Sequence, residues 1–429
     1  LKAILLAAGK GVRLRPITET RPKPLIPVLC KPLLLWHLDY LLASNNLFDE
    51  VRIVVNYLKE KIIDVVKEHP LSDRIRFIEQ GEELGTGDAI YKAVKDLDDN
   101  DEVLVIYSDL FIADPGLYSR LASADGNIVV GVSHENPSEY GVLIVENNLL
   151  KGVIEKPSKP PSNLVNAGIY RFRVGGLRPY LEELKPSIRG ELEFTDALTA
   201  AASSNVSIRV VSIDSSRWVD IGLPWNILDA NKIAFKYLVK ETLLKGFIEP
   251  NVSIKGEKIV IEEGAHIKSG TYIEGPVYIG RNTTIGPNAR IRPYSVICNG
   301  SVIGFSVEVK ESLIMEHVHV SHLSYVGDSI LCEDVNFGAG TITANLRFDN
   351  KPVKVRIRDK KVSSGRRKFG AIVGAHVRTG INVSFMPGVK IGSYSWIAPG
   401  AVVYEDVPPR SFLRFRGEYY IEPLEQDIT

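Results

Sequence analysis

The sequence predicts two joined domains, an α/β sheet domain followed by a parallel β-helix. Three observations carry that expectation: short β-rich runs alternate with helical patterns over residues 1–220, isoleucine then recurs at every sixth position, and the period changes near residue 250. At 429 residues and 45% hydrophobic content the chain is too long for one ordinary core and too apolar for disorder. Its 52 basic and 52 acidic residues cancel, so no global field draws it to nucleic acid or to an anionic membrane.

In the first region, 1–223, the runs at 3–7, 51–55, 74–78 and 103–107 read as strands, and those at 33–42, 60–67 and 87–94 as helices. That is the alternation of βαβ units in a mostly parallel sheet covered by helices on both faces. Ligands bind such sheets where the strands end at their carboxyl edge. Apolar residues at helical spacing (Ile227, Leu228, Ile233, Leu238, Leu243) predict a linker helix within 224–249.

Over 250–407 the logic is different. Ile261, Ile267, Ile273, Ile279, Ile285, Ile291, Ile297 and Ile303 share one register, with Gly264, Gly270, Gly286 and Asn288 between them. One inward aliphatic side chain per six residues is what a parallel β-helix needs, because each flat side of a coil is one short strand and stacked coils bury the ladder. Val373, Phe385, Ile391, Ile397 and Val403 resume the pattern, with Thr379 in register. The interruption at 345–369 is basic, carrying Lys351, Lys354, Arg356, Arg358, Lys360, Lys361, Arg366, Arg367 and Lys368. Taken alone it reads as a solvated excursion; ejected from a solenoid beside other charged residues, it reads as part of a working face. The tail at 408–429 carries no motif, and its Phe412, Phe415, Tyr419 and Tyr420 are expected to pack on the coil end or on a neighbouring subunit.

Cys30, Cys298 and Cys332 are too few and too scattered for a disulfide framework or a zinc site, and they read as small buried hydrophobes in a reducing compartment. The chain opens on a strand-like run without a cleavage pattern, and no apolar stretch reaches the roughly eighteen residues of a membrane span. A soluble, cytoplasmic protein is expected. Gln80 and Gln426 are the only glutamines and Met is equally scarce, a thermophile's bias.

Two groups of residues carry chemistry. Residues 5–32 read LLAAGKGVRLRPITETRPKPLIPVLCKP; after the first strand, Gly9 and Gly11 let backbone N–H groups approach phosphate oxygens, and Arg13 and Lys23 supply fixed positive charge. QGEELGTGDA at 80–89 follows another strand, where the Gln80 amide suits a pyrimidine edge and the glycines bend round the base. YSDL at 107–110 sets Asp109 on the carboxyl edge of the sheet, and WVDIG at 218–222 contributes Asp220. Singly each aspartate is more often a cap or turn residue; together they suit Mg²⁺, which takes oxygen ligands and keeps substrate phosphates and water. In the second region, HLSYVGD at 322–328 and NFGAGTITAN at 336–345 surround His322, with Arg292 and Lys310 one or two coils earlier. Imidazole titrates near neutrality and suits removal of a proton from an attacking amine, while His317, His319 and His376 read as structural.

On these residues, 1–222 resembles the sugar-1-phosphate nucleotidylyltransferases, whose LAAGxGxRL, PKPL, LGTG, EKP and NAGI elements stand here in order. The resemblance implies a Rossmann-like domain in which a sugar 1-phosphate attacks the α-phosphorus of a nucleoside triphosphate and pyrophosphate leaves. It implies that Gly9, Gly11, Arg13 and Lys23 hold the triphosphate and that Gln80, Gly85 and Thr86 hold the base. Asp109 and Asp220 would bind Mg²⁺, and Gly141, Glu155, Lys156 and Asn166 the sugar phosphate. Ala8 and Gln80 are similar to the uridylyl and thymidylyl branches, so UTP is the first choice and dTTP the second.

Residues 252–403 resemble the left-handed β-helix (hexapeptide-repeat) acyltransferases, and HLSYVGD and NFGAGTITAN look like the acetyltransferase half of the bifunctional enzymes that make UDP-N-acetylglucosamine. That resemblance implies acetyl-CoA as donor to glucosamine 1-phosphate, or galactosamine 1-phosphate, with His322 as general base. Arg292, Lys310, Tyr325, Asn336 and Lys351 would contact the amino-sugar phosphate, Asn345 would lie beside the reacting groups, and Ala339, Ala375 and Ala398 would line the CoA cleft. It also implies a homotrimer with sites at subunit boundaries. Two departures stand out: RLRPITETRPKPL is longer than the loop of the bacterial bifunctional enzyme, and so is the basic excursion. The whole looks most like the archaeal bifunctional sugar-1-phosphate nucleotidylyltransferase/acetyltransferases. The competing expectations are a nucleotidylyl enzyme whose β-helix only trimerises and regulates, and a non-catalytic scaffold, against which the retained Arg13, Lys23, Asp109 and Asp220 argue.

Overall fold

The computed structural model describes residues 1–415. Aliphatic residues on both faces of Lys2–Ala7 make it a central strand. It pairs in parallel with Glu50–Val55 and Glu102–Tyr107, and Ile75–Glu79 extends the sheet in parallel beyond Glu50–Val55. The crossovers are the helices Leu33–Leu42, Lys59–Val66 and Thr86–Val94, where the sequence pattern expects them.

Past Tyr107 the sheet changes direction. Leu164–Arg173 runs antiparallel to Glu102–Tyr107, and Asn127–Ser133, Ile208–Ile213, Leu149–Glu155 and Gly141–Glu146 complete nine strands of mixed sense. The expected mostly parallel sheet is thus corrected to one in which only the first four strands run uniformly parallel. The cause is local: Asn147 and Asn148, both at positive φ, fold Gly141–Glu146 straight back into Leu149–Glu155 and leave no room for a crossover helix.

After the helix Pro224–Tyr237 the chain winds into coils, each giving one short strand to each of three parallel sheets of eight, nine and eight strands. All eight ladder isoleucines are fully buried. Val309, Ile314, Val320, Val326, Leu331 and Phe337 continue the ladder, with Ile297, Ile314 and Leu331 stacked although the coil between each pair is one residue short. The β-helix also opens earlier than residue 250. Leu243–Leu244 and Phe247–Ile248 already pair with the next coil, so the linker helix is shorter than the periodicity predicts. In that first coil Leu244, Ile248 and Ile254 stack on Ile261, Ile267 and Ile273 at offsets that break the six-residue count.

The first of the three sheets turns Val296, Cys298, Leu313, Met315, Ile330 and Ile372 toward the α/β domain, into one buried cluster with Ile17, Ile26, Leu29 and Trp225. Across this interface Cys30 and Cys298 form a disulfide with Cα atoms 5.2 Å apart. The reading of all three cysteines as reduced hydrophobes is corrected; Cys332 alone is a free, buried thiol. A count along the chain cannot see a pairing created by domain docking, and because hyperthermophile interiors also hold disulfides, cysteine usage carries no inference about compartment here.

The basic excursion is a hairpin, Lys354–Ile357 against Lys360–Ser363, with Val353, Val355 and Ile357 buried in the same interdomain cluster. At the far end Phe412 packs edge-on against Trp396 and Phe415 is exposed, while Tyr419 and Tyr420 lie outside the described residues. Among the described residues no helix is long and apolar enough to cross a membrane.

Candidate functional sites

A cleft of about 460 Å³ opens at the carboxyl ends of the first strands, walled by residues 6–14, Lys23, Gln80, Gly85, Thr86 and Asp109 among others. Gly11 sits at φ 62°, and a Cβ there would stand 2.9 Å from the Thr18 methyl. Thr18 Oγ1 donates to the Gly11 carbonyl at 2.8 Å, so the phosphate loop is shaped by the segment after it. That segment is the extra length noted in the sequence. Thr20 donates to Glu333 at 2.9 Å, Arg21 pairs with Glu316 at 2.7 Å and Glu333 at 3.3 Å, and Glu19 accepts from the Ser393 amide at 2.7 Å. All three acceptor or donor partners belong to the β-helix, and the loop is therefore a strut between domains.

The two aspartates are brought together by a ribbon in which Trp218–Asp220 pairs antiparallel with Leu110–Ile112, so that Asp220 faces Leu110 and Ile221 N–H donates to the Asp109 carbonyl at 3.0 Å. Lys23 forms an ion pair with Asp109. Burial raises the Asp220 pKa and the Asp109 carboxylate adds to that, against the opposing pull of Lys23, Arg13 and Lys156. Two carboxylates crowded at one half-buried spot fit a hard divalent cation that completes its shell with phosphate and water oxygens. Among the described residues no group of three or more His, Cys, Asp or Glu could hold a metal by itself.

Gln80 is buried and its amide donates at 3.0 Å to both the Gly85 carbonyl and Asp88. Those partners only accept, which fixes the amide orientation and leaves Oε1 without a protein donor among the described residues. Gly85 sits at φ 122°, where a Cβ would meet the Leu192 carbonyl at 2.6 Å. Leu192 bonds to this turn from both sides, accepting from Gly87 N–H and donating to the Leu84 carbonyl, each at 2.7 Å.

Beside the cleft Gly141 pairs with Glu155, and a Cβ on Gly141 would stand 2.7 Å from Glu155 Oε1. Thr195 donates to that carboxylate at 3.0 Å. Lys156 adopts φ 45°, and burial lowers its pKa with help from Arg189 and Arg13. Asn166 donates to Tyr170 at 2.6 Å, and Tyr170 donates in turn to Tyr107 at 3.3 Å. Sequence reasoning missed Arg189 and Glu193, which pair at 2.7 Å; burial pushes Glu193 up to about 7. Their only signal was the charged run RGELEF before a helix, indistinguishable from a solvated turn.

On the β-helix, Lys310 holds Asp328 at 2.8 Å, Asn345 donates to Tyr325 at 3.0 Å and to Asp328 at 2.5 Å, and Arg292 pairs with Glu308 at 2.8 Å. Asp328, fully buried within HLSYVGD, is the organising acid that the sequence reading passed over. These groups lie along the third sheet and its far corner. His322 lies at the opposite corner, at the end of His319–His322 on the second sheet, exposed and with no side-chain bond among the described residues. Ala339 and Ala398 lie on that same corner row, where Gly340 N–H donates to the His322 carbonyl at 3.3 Å.

Within one chain, three expected members lie elsewhere. Ala375 occupies a different corner, fully buried in the interdomain cluster, because the sheet beside it docks on the α/β domain; its place beside Ala339 and Ala398 is corrected. Asn336 pairs along the second sheet with His319 and Arg378, away from Lys310. Lys351 is exposed, and its backbone N–H caps Asp349 at 3.2 Å.

The nucleotidyl transferase family model matches residues 2–236, and the GMPPB C-terminal domain model matches 273–384. A bifunctional sugar-1-phosphate nucleotidylyltransferase/acetyltransferase of Sulfurisphaera tokodaii is 50% identical, covering 96% of this chain and 100% of its own. The bifunctional protein GlmU of Methanocaldococcus jannaschii is 46% identical over 99% of this chain and 100% of its own. Among solved structures, a UDP-glucose pyrophosphorylase complexed with UDP-glucose aligns at TM-score 0.48 with 24% identity, covering 55% of this chain and 98% of that one.

Proposed function

Because the chain belongs to the family of bifunctional sugar-1-phosphate nucleotidylyltransferases/acetyltransferases, we propose that it acetylates an amino-sugar 1-phosphate on its left-handed β-helix and activates a sugar 1-phosphate in its α/β cleft. The observation that carries this reading is the meeting of Lys23, Asp109 and Asp220 at the mouth of the glycine loop.

In the cleft, a phosphate oxygen of the sugar 1-phosphate attacks the α-phosphorus in line and pyrophosphate departs. No protein nucleophile is needed, since positioning and charge neutralisation carry such transfers. Gly9 and Gly11 offer N–H groups to the phosphates, Arg13 and Lys23 neutralise them, and Glu155, Lys156 and Asn166 orient the sugar. Mg²⁺, held by Asp109 and Asp220, would supply charge neutralisation at the transferred phosphate. The oriented Gln80 amide supports a pyrimidine with N3–H: its free Oε1 accepts from uracil or thymine and meets only a lone pair on cytosine. UTP is the preferred donor, dTTP the second.

On the β-helix, His322 takes the proton of the glucosamine 1-phosphate amine as that amine attacks the acetyl-CoA thioester, and CoA leaves as the thiol. His322 and Asp328 are six positions apart along one face, up to about 20 Å of extended chain. The two stand on different corners of one chain. This supports a homotrimer in which His322 of one protomer completes the Lys310–Asp328–Asn345 cluster of another.

Purified protein given UTP, acetyl-CoA and glucosamine 1-phosphate should release both CoA thiol and pyrophosphate, and should sediment as a trimer. Pyrophosphate release that persists while glucosamine and galactosamine 1-phosphates yield no thiol would reduce the β-helix to an assembly module. A monomer that acetylates at full rate would remove the shared site.

A further inference from the structure

One residue in the nucleotide cleft does not come from the α/β domain. Arg358, at the tip of the hairpin ejected from the β-helix, lines the same cavity as Gly9, Arg13 and Lys23. Ile357 pairs with Lys360, so Arg358 and Asp359 form a two-residue turn, and Arg358 adopts φ 53° there. Val353, Val355 and Ile357 are buried in one cluster with Leu14 and Ile17, which follow Arg13 in the phosphate loop. Ser364 Oγ donates to the Val353 carbonyl at 2.7 Å, and Arg366 binds Asp229 of the linker helix at 3.2 Å. The turn is thereby carried on a base fixed at several points, while Arg358 itself stays exposed.

Charge pairing divides the cations of the cleft into two kinds. Four cations line the cleft: Lys10, Arg13, Lys23 and Arg358. Lys10 pairs with Glu83 at 3.6 Å and Lys23 with Asp109. Arg13 has no carboxylate within ion-pair distance among the described residues either, but it lies toward Gly222 and Asp220, at the metal and sugar side. Arg358 has no carboxylate partner among the described residues, although Asp359 adjoins it in sequence. A guanidinium held at the mouth of a phosphate cleft, without an acid to satisfy it, is matched by a phosphate oxygen pair, which it binds in a bidentate fork. An arginine delivered from a separate structural unit is a recurring way to neutralise charge in phosphoryl transfer.

We propose that Arg358 binds the β- and γ-phosphates of the nucleoside triphosphate, so that the β-helix supplies part of the nucleotidylyl site. The inference rests on the α/β cleft being that site. It gives the excursion a purpose that a solvated loop lacks: the β-helix presents to the leaving pyrophosphate the one cleft cation that the α/β domain does not provide.

The test uses the full chain. Arg358→Asn suits the left-handed turn, since Asn tolerates that conformation, and Arg358→Lys keeps the charge but loses the fork. Lys360→Asn removes a charge from the same hairpin outside the cleft, and Asp109→Ala serves as control for the cleft itself. In Arg358→Asn the KM for UTP in the forward direction and for pyrophosphate in the reverse direction should each rise about 10- to 100-fold, with partial recovery in Arg358→Lys. Lys360→Asn should match the parent, and acetyl transfer should be unchanged in every hairpin variant. If Arg358→Asn leaves both KM values at parental levels, or if Lys360→Asn reproduces its effect, the proposal is wrong even where Asp109→Ala abolishes the reaction. If Asp109→Ala also leaves turnover untouched, the assignment of the cleft fails instead.

Discussion

The two candidate sites of this molecule are built on opposite plans. In the α/β domain, loops after several strands converge on one cavity, so Gly11, Gln80, Asp109 and Asp220, far apart in sequence, line or border one space within one chain. In the β-helix each coil repeats the same three short sides, so neighbouring functional groups are stacked along rows and His322 and Lys310 end up on different corners. A converging sheet makes pockets; a solenoid makes walls, and a wall becomes a pocket only when another surface faces it.

Four measurements can break or sharpen that contrast. Asp109→Ala should lower nucleotidylyl turnover by roughly 10³-fold and leave acetyl transfer intact, and His322→Ala should do the reverse by about 10²–10⁴-fold; a variant that lowers both rates alike would show that the regions are not independent. Ile291→Ala empties one rung of the ladder and should cost about 2–5 kcal/mol in chemical unfolding of the β-helix, with the α/β transition moving little. Reduction of Cys30–Cys298 should lower stability by about 2–4 kcal/mol, read as a fall in melting temperature with reductant that a Cys298→Ser variant no longer shows.

The smallest effect is set by pH. Burial lowers the His37 pKa to about 4, and its Nδ1 lies 2.6 Å from the Tyr118 hydroxyl. The unfolded chain binds that proton near pH 6.5 and the folded chain does not, so the His37 contribution to stability should fall by about 1–3 kcal/mol as pH drops from 6.5 toward 4, while Glu193, raised to about 7 in the folded domain, contributes in the opposite sense. A His37→Gln variant whose urea midpoint for the α/β domain depends on pH just as the parent's does would count against it.

The same contrast explains what the sequence made legible. Ladder residues such as Ile267 and Ile285 announce themselves because a solenoid needs the same side chain in every coil. That Gly11, Gln80 and Asp109 share one cleft was readable because a glycine turn and a strand end leave few substitutes there. Arg21, Cys30, Glu316 and Arg358 were not, because their meaning arises only when two domains meet, and no local period records a docking. Asp328 was hidden for another reason: in a coil that needs a turn residue every few positions, an aspartate looks like punctuation. Arg189 and Glu193 were missed because a short charged loop before a helix reads the same whether it lies in water or against Glu155.

The covalent bond between Cys30 and Cys298 closes a ring through the connector, whose residues 240–242 are exposed. A protease that cuts there would separate the peptide into two pieces without releasing either, and the halves would migrate as one band until thiol is added. Backbone breakage at this point, ordinarily the weak place in a two-domain chain, is thus survivable for as long as the bond stays oxidised.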